Sequence, residues 1–241
     1  MLKLLRIIIV VFLCIVICIF GTIYSLIRFK HPSNAGVVAR CFGRLYPLFG
    51  LQVEHRFAKD VDKVGRCIYI ANHQNNYDMV TISYMMMPRT VTVGKKSLIW
   101  IPFFGLLYWI TGNIFIDREN RSKAHNTMAE VAKHIINDNV SIFMFPEGTR
   151  SRGRGLLPFK TGAFHTALAA GVPVVPVICS STHNQIDLNR WHNGKVICEM
   201  MEPIDSAQFS KDNVRAFAEH CHQIMAQRLA ELDAEIAAEK A

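Results

Sequence analysis

Between Arg6 and Arg28 the chain carries no charged residue. The intervening run, IIIVVFLCIVICIFGTIYSLI, would measure about 30 Å as an α-helix, the thickness of a bilayer's hydrocarbon core. Its length argues against a cleaved signal peptide, as does the lack of an A-x-A-like site; the first alanine is Ala35. A spanning helix and a pair of helices embedded in one leaflet both remain open, because Val37 to Val53 is a second, mostly apolar stretch carrying Arg40 and Arg44. Periodicity does not separate the two. Lys3 and Arg6 precede the run and Arg28, Lys30, Arg40 and Arg44 follow it, a bias that puts the main domain on the cytoplasmic side.

The remainder of the 241 residues is enough for one sizeable domain. The seven cysteines are odd in number and scattered without a C-x-x-C pair, which suits free thiols in a reducing compartment better than a disulfide framework or a zinc site. A net charge of +8 is compatible with a nucleic acid, an anionic bilayer or an acidic protein partner, and the apolar run favours the bilayer.

After the linker HPSN (31–34), short β-branched runs alternate with longer helical ones. Strands are predicted at Cys67 to Ala71, Thr90 to Val93, Asn113 to Ile116, Val140 to Phe145, Pro173 to Cys179 and Lys195 to Met201. Helices are predicted at Asp78 to Met87, Lys123 to Ile136, Lys160 to Ala170 with Gly171 as C-cap, and around Val214 to Met225; the tail AEIAAEKA is expected to fray. This is an α/β pattern: a mostly parallel central sheet flanked by helices, with an N-terminal membrane-inserted helical segment. The expected division is a membrane-associated segment over 1–55 and a catalytic domain over 56–241. Ligands of such sheets bind beyond the carboxyl ends of the strands.

One of those ends carries NHQNNYD, with His73 five positions before Asp78. A lone His-x-x-x-x-Asp is weak, since HRFAKD supplies the same pattern in His55 and Asp60. His55, however, sits in a polar stretch with no strand before it, whereas His73 follows a strand end and Asp78 opens a helix. On a continuous helix the two side chains would diverge by about 140°, so the pair needs a loop. A loop that returns His73 to Asp78 lets the carboxylate fix the tautomer and raise the basicity of the other ring nitrogen. That is a serine-protease triad lacking its nucleophile, which a substrate hydroxyl would supply. The competing reading is a polar turn in which Asp78 merely caps its helix.

Two further strand ends are informative. FPEGTRSRGRGLLPFKTG places Glu147, Gly148, Thr149 and Arg150 at a corner where backbone amides and the guanidinium groups of Arg150, Arg152 and Arg154 suit a phosphate. GNIFIDREN delivers Asp117 and Arg118. The same arginines also fit a basic loop on an anionic membrane; poor aromatic interleaving argues against nucleic acid. No nucleophile elbow, P-loop, dinucleotide fingerprint or H-E-x-x-H is present. Cys67 reads as a buried small hydrophobe rather than a nucleophile.

NHQNNYD, GNIFIDR, FPEGTRS and VPVVPV, in this order and spacing, resemble the four sequence blocks of the glycerolipid acyltransferase family. The resemblance implies transfer of a fatty acyl group from acyl-CoA or acyl-acyl carrier protein to the hydroxyl of lysophosphatidic acid, forming phosphatidic acid at the bacterial inner membrane. No cofactor beyond the thioester donor is implied. Within it, His73 would be the general base and Asp78 its orienting carboxylate. Arg118, with Gly112 and Asp117, would shape the acceptor site, and Glu147, Gly148, Thr149 and Arg150 would hold the glycerol phosphate. Lys95, or Lys96 beside it, resembles a phosphate-contacting lysine, and Pro173 and Pro176 would lie in a strand beside the acyl path. The aromatic stretch from Phe103 to Trp109 reads equally as an acyl pocket or a packing helix. Three rivals stand beside this reading: an acyltransferase of the same family acting on another lysophospholipid, a non-catalytic membrane protein that binds phosphatidic acid, and a thioester hydrolase in which His73 activates water.

Overall fold

A computed structural model describes residues 1–117 and 121–239, with the backbone alone for 121–126. Arg118 therefore lies outside the described residues.

Seven strands form one sheet: β1 (Leu51–Phe57), β2 (Ile68–Ala71), β3 (Thr90–Lys95), β4 (Ile114–Ile116), β5 (Ser141–Met144), β6 (Val174–Cys179) and β7 (Gly194–Met200), in the spatial order β1-β7-β6-β2-β5-β3-β4. Every residue of β2, β5 and β6 is buried, as in strands covered on both faces. β6, β2, β5, β3 and β4 run parallel; β7 is antiparallel to β6 and parallel to β1. The carboxyl ends of β2 to β6 thus share one edge of the sheet, while β1 and β7 begin there. All six expected strands are present, with ends moved by one or two residues. Pro176 is tolerated in a central strand because its missing N–H faces β7 just past the last rung of that ladder, where only Met201 returns a bond to its carbonyl.

The strand that sequence reading missed is β1. Its residues Gln52, Glu54 and Arg56 read as a polar stretch, yet at a sheet edge they need only one apolar face; Arg56 is held by Glu235 of the C-terminal helix, and Glu54 by Arg56 and by Lys195 of β7. His55 therefore lies inside a strand, and the expected boundary at residue 55 falls within β1.

Helices α1 (Leu2–Ile27), α2 (Asn34–Gly43), α3 (Asp78–Thr81), α4 (Phe104–Ile110), α5 (Arg121–Asn137), α6 (Gly162–Ala170) and α7 (Val214–Ala238) complete the fold. The helix expected from Asp78 to Met87 is only one turn of α-helix followed by a 3₁₀ turn at Ser83–Met85. Gly171 takes the left-handed conformation at the end of α6, as its position after the apolar run predicted. The C-terminal tail does not fray: α7 continues to Ala238 because Ile236 is buried and Glu235 and Glu239 pair with Arg56 and Lys195.

Among the described residues α1 is the one helix long and apolar enough to cross a membrane. It lies along the domain rather than leaving it. Arg6, Val10, Cys14, Ile17, Cys18, Gly21 and Ser25 follow helical spacing and form its inward stripe. Arg6 donates to the backbone carbonyls of Leu188 (3.1 Å), Arg190 (2.5 Å) and Trp191 (3.2 Å) at one end. Val10 packs against the main core, and Cys14, Ile17 and Cys18 join Val38, Phe42 and Leu107 in a second cluster. At Gly21 a side chain would come within 3.0 Å of Leu107 and 3.1 Å of Val38. The helix, about 39 Å long, thus touches the domain near both ends. Its outward face, with Leu4, Ile8, Val11, Phe12, Phe20 and Ile27 exposed, continues onto Trp100, Phe103 and Leu106 beside α4.

Candidate active site

The buried strand β2 delivers the chain to the carboxyl edge at Asn72. Its side-chain amide pairs with both backbone groups of Cys179, donating to the carbonyl and accepting the N–H at 2.8 Å each, so the β2–β6 ladder is prolonged one step by a side chain. Beyond it Gln74 is held the same way: its amide donates to Cys179 O (3.0 Å) and Ser180 O (2.8 Å) and accepts the Thr182 N–H at 2.8 Å. Asn75 donates to Thr182 Oγ1 at 2.7 Å. The loop is thereby fastened to β6 before it turns.

On its other side the loop is fastened to the segment after β5. The His73 N–H donates to Glu147 Oε1 at 2.6 Å, and the His73 carbonyl accepts the Ser151 N–H at 2.8 Å. The Gln74 carbonyl accepts the Arg152 N–H at 3.0 Å. With its backbone fixed from both flanks, His73 places Nδ1 2.6 Å from Asp78 Oδ2. The same oxygen accepts the Gln74 N–H at 2.8 Å, and both carboxylate oxygens face the Asn75 N–H at 3.2–3.3 Å. Asp78 does not cap its own helix, whose N-cap is Tyr77 without a side-chain bond. Its carboxylate reaches back to the histidine and the loop amides, which removes the capping explanation for this residue. Asp78 is 4% exposed, and the imidazole stacks on Phe145 at 4.2 Å and 20°. Nε2 of His73 has no hydrogen-bond partner among the described residues.

This arrangement is that of a histidine whose tautomer is set by a buried carboxylate and whose second nitrogen is left to act as acceptor. Neither Phe145 nor Gln74 was singled out from the sequence. Both lie inside the quoted blocks, but their contacts join residues from 72 to 108 positions apart in the chain.

Other expected site residues divide into two sets. Lys95 ends β3 and pairs in register with Ile116, so Lys95, exposed Lys96 and Asp117 sit at the same edge as His73, two strands away. Thr149 and Arg150 are exposed on the loop after β5, and the side chains of Arg150 and Arg152 make no hydrogen bond or ion pair among the described residues. Gly148 turns the loop in the left-handed conformation at φ 68°, and a side chain there would strike Lys160 at 2.8 Å. The remaining residues have other duties. Glu147 is 3% exposed, and both its oxygens accept backbone N–H groups, from His73 and Leu157 (3.0 Å). Through these two bonds Glu147 holds the loop that carries His73. Burial pushes its carboxyl above the usual range, against the two backbone bonds that favour the charge. Arg154 is turned onto the carbonyls of Ser151 and Arg150 and stiffens the loop. Gly112 precedes β4 and thus lies at the opposite edge, near Lys30 and Val91. Cys67 is fully buried, its thiol raised to about 11 by burial, as expected of a core residue. In the aromatic stretch, Tyr108 is tied to Thr92 at 2.6 Å and Phe103, Leu106 and Trp109 are exposed, so the segment packs on β3 and presents an outer surface.

A family model described as Acyltransferase matches residues 52–180, from β1 to the residue after β6. The chain belongs to this acyltransferase family. Over 98% of its length and 99% of the relative's it is 72% identical to the 1-acyl-sn-glycerol-3-phosphate acyltransferase of Haemophilus influenzae. It is 60% identical to that of Escherichia coli, over 100% of this chain and 98% of the other. The crystal structure of the 1-acyl-sn-glycerophosphate (LPA) acyltransferase PlsC from Thermotoga maritima superposes with a TM-score of 0.75 at 26% identity, covering 96% of each chain. The likeness thus extends beyond the matched segment on both sides, to α1 and α2 before it and α7 after it.

Proposed function

We propose that this chain is a 1-acyl-sn-glycerol-3-phosphate acyltransferase, in which His73 is the general base and Asp78 its orienting partner. The observation that carries the roles is the 2.6 Å bond between His73 Nδ1 and the buried Asp78 carboxylate at the edge where five strands end. The sn-2 hydroxyl of lysophosphatidic acid gives its proton to His73 Nε2 as the oxygen attacks the thioester carbonyl. Collapse of the tetrahedral intermediate breaks the C–S bond, and the imidazolium returns the proton to the departing thiolate. No covalent acyl-enzyme is needed. General-base assistance of this kind contributes about 10²- to 10⁴-fold. Arg150, with Lys95 and Arg118, is the reading for the acceptor's phosphate, where charge-assisted bonds contribute about 1.5–3 kcal/mol each.

The donor is an acyl thioester, acyl-CoA or acyl-acyl carrier protein; the basic loop carrying Arg150 and Arg152 supports an acidic carrier. The inward stripe of α1 supports insertion in one leaflet at the cytoplasmic face of the inner membrane, so that a single-chain lipid acceptor reaches His73 without leaving the headgroup layer.

Membranes containing the parent protein, given labelled lysophosphatidic acid and an acyl thioester, are expected to form phosphatidic acid, and those with His73→Ala to lose at least about 100-fold of that rate. Transfer near the parent rate by His73→Ala would overturn the assignment. Release of free fatty acid at one rate with or without acceptor would instead favour the hydrolase.

A further inference from the structure

The loop between β6 and β7 carries Trp191, which is 71% exposed although it stands beside an apolar helix. Its backbone carbonyl accepts Arg6, and the Arg6 guanidinium also lies 5.8 Å from the indole centroid. Arg6 itself is 7% exposed, a cation buried at the start of an otherwise apolar helix, where it is satisfied by three carbonyls of this one loop. A buried guanidinium is costly to leave unpaired, so the loop and the first turns of α1 are held as a unit.

The surroundings of Trp191 show what it faces. Leu4, Leu5, Ile7 and Ile8 are exposed on the neighbouring turns of α1, while Lys3 adds positive charge at the same end and Arg190, paired with Asp187 of its own loop at 3.5 Å, keeps its side chain 65% exposed. At the far end of the helix a similar combination returns: Lys30 lies over the rings of Trp109 at 4.8 Å and Phe29 at 5.6 Å, which are 43% and 59% exposed. Indole beside cation beside exposed aliphatic surface is the composition of a membrane–water interface, where tryptophan settles at headgroup level and basic residues meet anionic lipid.

We propose that the β6–β7 loop is a second membrane contact, with Trp191 seated among lipid headgroups and Arg190 facing anionic phosphates, clamped to α1 by Arg6. This rests on α1 lying in the membrane. The loop also carries Thr182, bonded to Gln74 and Asn75, so one segment joins the lipid surface to the backbone around His73. Two contacts, one at each end of α1, set the height and tilt of the site above the bilayer, which a single helix free to roll would not.

The test uses the full chain in vesicles of phosphatidylcholine and phosphatidylglycerol, with Trp100→Phe and Trp109→Phe leaving Trp191 as the sole reporter. Its fluorescence is expected to be quenched more by lipids brominated near the carbonyl end of the chain than by those brominated near the methyl end, and to be several-fold less open to iodide than the same protein in urea. Arg6→Gln is expected to return much of the iodide access. Iodide access equal to that in urea, with no quenching by either lipid, would overturn the seat; an unchanged profile in Arg6→Gln would overturn the clamp. A second reporter, Phe20→Trp with all three native tryptophans replaced by phenylalanine, separates the failures. Deep-lipid quenching there with none at Trp191 refutes the loop contact alone, whereas no quenching at either position refutes the membrane placement of α1.

Discussion

The chain contains His-x-x-x-x-Asp twice, and the two copies have opposite fates. His73 leaves a central strand at the edge where β2 to β6 all end, and a loop pinned from both sides folds it back onto Asp78 at 2.6 Å. His55 is held within β1, which runs antiparallel to the central strands, so the chain leaves it at the opposite edge. Extended backbone rises about 3.3 Å per residue, and Asp60 is carried away to a left-handed turn where it pairs with Lys63 at 2.7 Å. The spacing is therefore not the machine. What makes the pair is the strand end, the loop, and the partners supplied by β5 and β6.

The comparison is tested most severely at the carboxylate. Asp78→Asn keeps size and burial but presents an amide to Nδ1 and to the Gln74 and Asn75 N–H groups, so the histidine loses its preferred tautomer. By analogy with the triad, phosphatidic acid formation is expected to fall by about 10³- to 10⁴-fold. Asp60→Asn is expected to leave it unchanged. Equal losses from the two, measured as initial rates on equal amounts of folded protein, would break the distinction between the pairs.

The arginines beside each histidine sharpen it next. Arg150→Ala is expected to raise KM for lysophosphatidic acid about 10- to 100-fold, the equivalent of one charge-assisted interaction, with no loss of thermal stability. Arg56 sits next to His55 and binds Glu54 and Glu235 at the β1–α7 seam. Arg56→Ala is expected to leave KM alone and to cost about 1 kcal/mol, the upper part of the range for partly exposed pairs. A KM effect from Arg56 would mean that the far edge of the sheet also meets substrate.

How far these distinctions are legible without coordinates depends on the range of the forces involved. Central strands announce themselves, because burial on both faces demands unbroken apolar runs such as CIYIA and SIFM. β1 hides because an edge strand tolerates Glu54 and Arg56, whose partners Lys195 and Glu235 lie 141 and 179 residues further along the chain. The placement of His73 and Asp78 can be inferred from a strand end followed by turn formers. The duty of Glu147 cannot, since a glutamate in a phosphate-like corner reads as part of the ligand shell until its two backbone donors are seen. Likewise, apolar composition leaves spanning and in-plane helices equivalent and does not foretell that Arg6 near one end of α1 and Gly21 near the other meet the domain.

Glu147 gives a pH-dependent test of the brace behind His73. Glu147→Gln retains one acceptor oxygen and loses the other, at an expected cost of about 1–3 kcal/mol. Because burial raises this carboxyl in the folded state, the native protein holds the proton more tightly than the unfolded chain. Stability contributed through Glu147 is therefore present at low pH and declines as pH rises from the ordinary carboxylate range through the raised value. The difference in Tm between parent and Glu147→Gln is expected to shrink over that interval. A difference that grows with pH would mean that the two backbone bonds outweigh burial.

The smallest expected effect belongs to the idle histidine. The His55 ring packs 4.4 Å from Tyr84, its Nε2 is buried with no partner among the described residues, and burial lowers its pKa against a bond to the Thr81 backbone. The folded chain thus binds this proton less readily than the unfolded one, so stability falls as pH drops through the unfolded histidine value of about 6.5. His55→Phe loses the Thr81 bond but no longer buries an unpartnered nitrogen, and is expected to stay within about 1 kcal/mol of the parent at neutral pH. On acidification it should unfold less readily than the parent, while its transferase rate stays the same throughout. A rate lost in His55→Phe with its stability intact would give the second pair a part in the chemistry, and strand-end position would no longer separate the two copies.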